Sequence, residues 1–373
     1  MDARHARLAE ILLHYSCAIG PGDRLLIEAV DTPHGFVNEL VRAASAAGAH
    51  PAVLLKSQAV QRELLLAASE EQLEAVAASE LAYMERMDAY IGVRGSDNVS
   101  EYADVPAGRM RLYERLVWKP VHLDVRVNRT RWVVLRWPAP SMAQLALKST
   151  KAFEDFYFKV CTMDYARMSE AMDPLKELME ATERVRLLAP DTDLSFSIES
   201  IPAVKCDGKR NIPDGEVYTA PVRDSVNGTI AYNAPTLYQG VTHERVRFTV
   251  EEGRIVEAAS TESEHLLETL DTDEGARYFG EFAIGFNPHV RRPMKDILFD
   301  EKIAGSIHLT PGQAYEEADN GNRSQIHWDL VLMMDPDSGG GEVWFDEVLV
   351  RKDGRFVLPE LEGLNPEHLV DGA

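Results

Sequence analysis

Cysteine is scarce in this chain of 373 residues, long apolar runs are absent, and cationic residues are outnumbered. The three cysteines, Cys17, Cys161 and Cys206, are too few and too far apart for a disulfide framework or a thiolate zinc site. They point to reduced thiols in a cytosol. No stretch approaches the roughly 18 apolar residues that a membrane span requires. The N-terminus reads MDARHARLAEILLHYSC, without the long apolar core and small-residue cleavage site of a secretory signal. Lys and Arg number 39 against 61 Asp and Glu, a net charge of −22. So acidic a chain lacks the clustered cations that nucleic-acid phosphates and anionic lipid surfaces select. Neither G-x-G-x-x-G after the first strand nor G-K-[ST] is present, which sets nucleotide chemistry aside. G-x-S-x-G and H-E-x-x-H are missing too, so a nucleophile-elbow hydrolase and a helical zincin site lack support. The expectation is a soluble cytoplasmic protein that binds neither nucleic acid nor membrane.

What is present organises as two domains. Leu8, Ile11, Leu12 and Tyr15 form a helical stripe that ends at Gly20-Pro21-Gly22. The strand-like RLLIEA at 24–29, a helix begun at Asp31-Thr32-Pro33 and the strand-like HPAVLL at 50–55 make a β-α-β unit, hence a parallel sheet. A helix around 70–78, strands at 88–93 and 132–137, and helical patterning between Met163 and Glu183 continue the α/β pattern. Asp173-Pro174 reads as the start of a second helix within that last stretch. In the second half, 246–250 and 254–258 flank Glu251-Glu252-Gly253, and 342–351 and 355–358 flank Asp353-Gly354; both are hairpin signals. Gly339-Gly340-Gly341 reads as a flexible turn. The fold class expected is α/β: an N-terminal α/β domain over 1–187 with a mainly parallel sheet, then a mixed, largely antiparallel C-terminal domain over 188–373.

Chemistry-bearing residues gather in four segments of the second half. Glu216 follows a Pro-Gly turn in NIPDGEVYTAP, and Glu281 enters the small apolar stretch GEFAIG. His308 lies between apolar residues in FDEKIAGSIHLTPGQAY, which also holds Tyr315. His327 and Asp329 stand two apart in NRSQIHWD, so on an extended strand both project from one face. Taken singly, each has a plain structural reading: a solvated turn carboxylate, an outward-pointing strand-end Glu, a core histidine, a packing tyrosine, a His–Asp pair. Together they offer carboxylate and imidazole ligands without thiolate, a set that suits Zn²⁺, Co²⁺, Mn²⁺ or Fe²⁺. Three carboxylates and two imidazoles can hold two divalent ions.

In order and approximate spacing, these four segments resemble the aminopeptidase T and S type of dinuclear metalloaminopeptidases. LAEILLHYSCAIGPGDRLLIEA at 8–29 and WPAPSMAQLA at 137–146 extend the likeness over nearly the whole chain. The resemblance implies metal ligands at Glu216, Glu281, His308, His327 and Asp329, and Tyr315 beside two divalent ions. It implies a homodimer and a peptide substrate with a free N-terminus, cut by a metal-activated water with Glu216 or Glu281 as base. Thr310-Pro311 departs from the Ala-Leu of the family pattern. A ring-cleaving iron(II) dioxygenase of the dihydroxypyridine type and a non-catalytic peptide-binding relative are the competing readings.

Overall fold

A computed structural model describes residues 2–370. The chain divides into two compact units, 1–162 with 208–212, and 163–207 with 213–373. The first break thus falls after Thr162, ahead of the expected boundary at 187.

The first unit is built on a five-stranded sheet in the order His50–Lys56, Arg24–Val30, Ala89–Arg94, Arg131–Arg136, Asn211–Ile212, with every pairing parallel. Its central strands are nearly continuous apolar runs because both faces are covered: all of Ala89–Val93 is buried. The β-α-β reading of residues 24–55 holds, with the crossover helix at His34–Ala46 burying Phe36, Val37, Leu40 and Ala44.

The helical stretch after Met163 differs from expectation. Tyr165–Ala181 is one helix running through Pro174, not two helices meeting there. Tertiary packing overrides the proline: Met168, Met172, Leu175 and Met179 form one buried stripe. Lys205 Nζ also donates to the Ser169 carbonyl at 2.9 Å, next to the turn where the ring removes a donor. This stripe groups the helix with the second unit.

Besides a two-stranded ribbon, Thr236–Tyr238 with Val241–His243, the second unit carries two large antiparallel sheets. One has eight strands and contains the expected hairpin Arg247–Glu251 with Arg254–Ala259. The run 342–351 is not one strand but two, Glu342–Phe345 and Val348–Lys352. Asp346 and Glu347 between them take φ of 45° and 69°. Such a turn matches strand twist but disfavours residues with a Cβ; Asp346 is held there by accepting the N–H groups of Glu183 and Arg184 at 3.0 and 2.8 Å.

The other sheet has five strands in the order Val331–Met333, Ser306–Pro311, Phe279–Gly285, Glu216–Thr219, Val204–Cys206. Register brings Ala283 opposite both His308 and Tyr218, Gly285 opposite Glu216, and Glu281 opposite Thr310. Cross-strand partners share a face, so Glu216, Tyr218, Glu281, His308 and Thr310 all project from one side. Small residues keep that side open. A Cβ on Gly285 would lie 2.7 Å from the Glu301 carbonyl and 2.8 Å from that of Ile303, so only glycine lets that segment lie against the sheet.

Arg351, 1% exposed, ties this sheet to the strand Val348–Lys352. It donates from Nη1 to the Ser306 carbonyl and from Nη2 to that of Gly285, both at 2.8 Å, and from Nε to Gly354 at 3.1 Å. Burial lowers its pKa to about 9. Arg351→Met would leave buried carbonyls unpaired, each worth about 1–3 kcal/mol. Urea unfolding should show a loss of at least ~2 kcal/mol; an unchanged midpoint would refute the clamp.

Candidate metal centre

All six residues singled out in the sequence come together on the open face of the five-stranded sheet. Glu281 sits at the centre. Its Oε1 is 3.3 Å from His308 Nε2, and its Oε2 is 3.1 Å from His327 Nε2. His327 Nε2 is also 3.1 Å from Asp329 Oδ1, and Glu216 Oε2 is 3.7 Å from His308 Nδ1. The ligand atoms thus form two triads, Glu216–Glu281–His308 and Glu281–His327–Asp329, each closing within 4.8 Å. Glu281 belongs to both and turns one oxygen toward each. A register shift between Phe279 and Glu281 helps to aim this carboxylate.

Neighbouring groups orient the set. His327 Nδ1 lies 2.8 Å from the Gln313 carbonyl, which makes Nδ1 the donor and turns Nε2 toward the cluster. Thr310 Oγ1 donates to Asp329 Oδ1 at 2.7 Å. The departure from the family pattern at 310 therefore adds a hydrogen bond that holds a candidate ligand. Tyr315 packs on His327 with ring centroids 4.6 Å apart, and Tyr218 meets its ring edge-on at 5.6 Å.

Sequence reasoning missed Lys302 and Glu301. Lys302, 1% exposed, pairs with Glu216, with Glu301 at 2.7 Å and with Asp214 at 3.4 Å. Burial alone would lower its pKa; Glu216, then Glu301 and Asp214, hold it well above the usual value. Glu301 also forms a triad with His308 and Asp329. The signal was a Lys inside a stretch that becomes buried, Phe299–Ser306, since a buried ammonium demands carboxylate partners. Cys206 groups with Asp214 and Glu216, but burial raises its thiol well above the usual range and keeps it neutral.

The donor set fits a divalent cation. Glu216 Oε2, His308 Nδ1 and His327 Nε2 are buried yet make no hydrogen bond. The 3.1 Å approaches of His327 Nε2 are close contacts of charge, with no N–H aimed at an oxygen. Buried polar atoms without hydrogen bonds are rare, and here three converge.

A family described as thermophilic metalloprotease (M29) matches residues 1–356. The chain belongs to that family. It is a metal-dependent hydrolase. Aminopeptidase T of Thermus thermophilus is 27% identical, over 87% of this chain and 91% of the relative. Aminopeptidase PepS of Streptococcus thermophilus is 25% identical over the same shares. Among solved structures, wild-type AmpT from Thermus thermophilus superposes with a TM-score of 0.80 at 23% identity, covering 95% of this chain and 99% of that one. At that identity the likeness shows the fold: a parallel sheet followed by antiparallel sheets. The 2,5-dihydroxypyridine dioxygenase of Pseudomonas putida KT2440 shares the fold more loosely, with a TM-score of 0.62 at 14% identity over 96% and 99%.

Without metal, protons take the place of the missing charge. Burial opposes protonation of His308, but Glu216, then Glu281, push its pKa up to about 9. Burial raises Glu216 and Glu301 to about 7 against the pull of Lys302. Each of these three groups binds protons more tightly folded than unfolded. Their contribution to stability is therefore complete at low pH. The glutamates lose theirs between their unfolded value of 4.5 and about 7, and His308 loses its own between 6.5 and about 9. Chelator-treated protein should melt progressively lower as pH rises from 5 to 9, and a divalent metal should reverse the loss at pH 8. A melting temperature that rises over that range would contradict the assignment.

Proposed function

We propose that the protein is a dinuclear metalloaminopeptidase that hydrolyses the N-terminal bond of peptides. The observation that carries this reading is the pair of triads sharing Glu281. Charge balance supports two ions. Asp214, Glu216, Glu281, Glu301 and Asp329 bring five negative charges and Lys302 one positive, so −5 + 1 = −4, which two divalent cations cancel. Glu216, Glu281 and His308 would hold one ion; Glu281, His327 and Asp329 would hold the other. Zn²⁺, Co²⁺ and Mn²⁺ all suit these ligands.

Bound cations would supply carbonyl polarisation and a lowered pKa for water. The residues do the rest. Glu281 belongs to both triads and Glu216 to one, so Glu301, which lies outside the two, is the base we assign. Its side chain keeps 14% exposure against 4% for each of the other two glutamates. It takes the proton of the attacking water and returns it to the leaving amine. Tyr315 donates its hydroxyl proton in a hydrogen bond to the developing oxyanion. Partial burial of its ring, then the carboxylates of Glu281 and Asp329, raise its pKa and keep the hydroxyl protonated.

A mononuclear oxygenase site of two histidines and one carboxylate would leave Glu216 and the central position of Glu281 without a role. The reading includes a cytosolic homodimer. The cytosol is supported by three free cysteines, with the buried Cys17 thiol pushed up to about 12.

Metal-loaded protein should release free amino acid from Leu- or Phe-initiated peptides and none from N-acetylated versions; equal cleavage of both would sink the aminopeptidase reading. Asp329→Asn should lose most of one metal equivalent, read by elemental analysis, along with activity. Full metal content with normal turnover would remove Asp329 from the ligand set. Glu301→Gln should keep its metal while kcat falls by about 10²–10⁴. A near-normal kcat would return the role of base to Glu216.

A further inference from the structure

A small cleft, open to solvent, lies beside the metal cluster. Asp329 forms part of its wall, and Pro235, Leu237 and Val331 give it an apolar lining. Its free volume of about 20 Å³ admits a small polar group such as the end of a carboxylate, not a whole residue. Asp329 also belongs to the metal cluster, so a group in the cleft lies beside that cluster.

Lys295 is the single basic residue on that wall. In a chain of net charge −22 a lysine readily finds a carboxylate, yet the half-buried Lys295 side chain makes neither an ion pair nor a hydrogen bond among the described residues. Its backbone is left-handed, with φ +59°, a conformation uncommon for a residue with a side chain. Asp300 holds it there, accepting the N–H of Met294 at 2.7 Å and that of Lys295 at 2.8 Å, one on each carboxylate oxygen. Both oxygens of Asp300 are therefore occupied. Asp329 accepts from Thr310 and faces His327. The Lys295 ammonium is left as the uncommitted charge of the cleft.

We propose that this cleft binds a carboxylate of the substrate through Lys295. The inference rests on the aminopeptidase reading and names its substrate class: short peptides with a carboxylate on the residue that follows the scissile bond. The carboxylate is either the C-terminal α-carboxylate of a dipeptide or an acidic side chain. Lys295 sits outside the ligand set and acts on substrate binding.

The test compares Leu-Gly, Leu-Gly-amide and Leu-Glu-amide on metal-loaded parent protein, Lys295→Met and Lys295→Arg. One charge-assisted contact at a half-exposed site corresponds to about tenfold in KM. The parent should favour Leu-Gly over Leu-Gly-amide by that factor if the α-carboxylate is the source, or Leu-Glu-amide over Leu-Gly-amide if the side chain is. In Lys295→Met the ratio should fall to about one, and Lys295→Arg should restore it. Each ratio is taken on one preparation, so a general loss of folded protein cancels. A parent that cleaves all three without preference, or a preference that survives in Lys295→Met, overturns the inference and leaves the aminopeptidase reading standing. Release of amino acid from none of them overturns that reading and this inference together.

Discussion

Concentrated negative charge on one buried sheet face is the constraint that the second unit is arranged around. Glu216 and Glu281 are each 3% exposed, Asp214 is 1% exposed, and Asp329 stands at 9%. Carboxylates do not stay ionised in such a place without partners. Lys302 answers part of the demand, and the histidines answer more by holding protons. The backbone yields to the same need: Gly285 is bare so that the segment carrying Glu301 and Lys302 can lie against the sheet. Arg351 then secures the strand ends at Gly285 and Ser306 from the other side. It is a buried cation that finds carbonyls instead of carboxylates, and it leaves the acidic face to Lys302.

Antiparallel pairing explains how segments more than a hundred residues apart become one site. Strand alternation puts Glu281 and Ala283 on the same face, and register sets His308 and Tyr218 on either side of Ala283. Alanine at the centre leaves space that a larger side chain would fill. Asp329 then lies within reach of Thr310, and His327 is fixed through Gln313. Glu216, Glu281 and His308 take their direction from strands, whereas His327 and Asp329 lie in the irregular stretch between Pro311 and Val331, not on an extended strand, and are fixed there by the Gln313 carbonyl and the Thr310 hydroxyl.

The ligand residues were legible because their types are unusual for where they stand: a glutamate in GEFAIG, a histidine between Ile307 and Leu309, and a His-x-Asp pair. Which glutamate lies between the triads was not legible, since that depends on register and on the shift at Gly280. Glu301 and Lys302 stand in FDEKIAGSIHLTPGQAY without singling themselves out, because nothing local says that a short turn will be buried. The parallel sheet of the first unit followed from β-α-β order alone. Pro174 misled because local propensity favours a helix start there, whereas four buried side chains carry the helix through. The turn at 346–347 misled because neither residue is glycine; its stability comes from Asp346 reaching Glu183 and Arg184, a contact distant in sequence.

Lys302 has a further consequence for how the cluster takes up metal. Its ammonium reaches Asp214, Glu216 and Glu301, which gathers three carboxylates from one side and keeps them near their working positions before any cation arrives. His308 and His327 lie against Glu281 and Asp329, and there the balancing charge is a proton. A lysine held by three carboxylates is not readily displaced from its corner, whereas a proton on an imidazole leaves readily when a divalent ion offers more charge to the same oxygens. The cluster therefore has one fixed cation and exchangeable positions beside it. Metal loading then requires loss of protons more than movement of side chains, and the fold can be complete before the ions are bound.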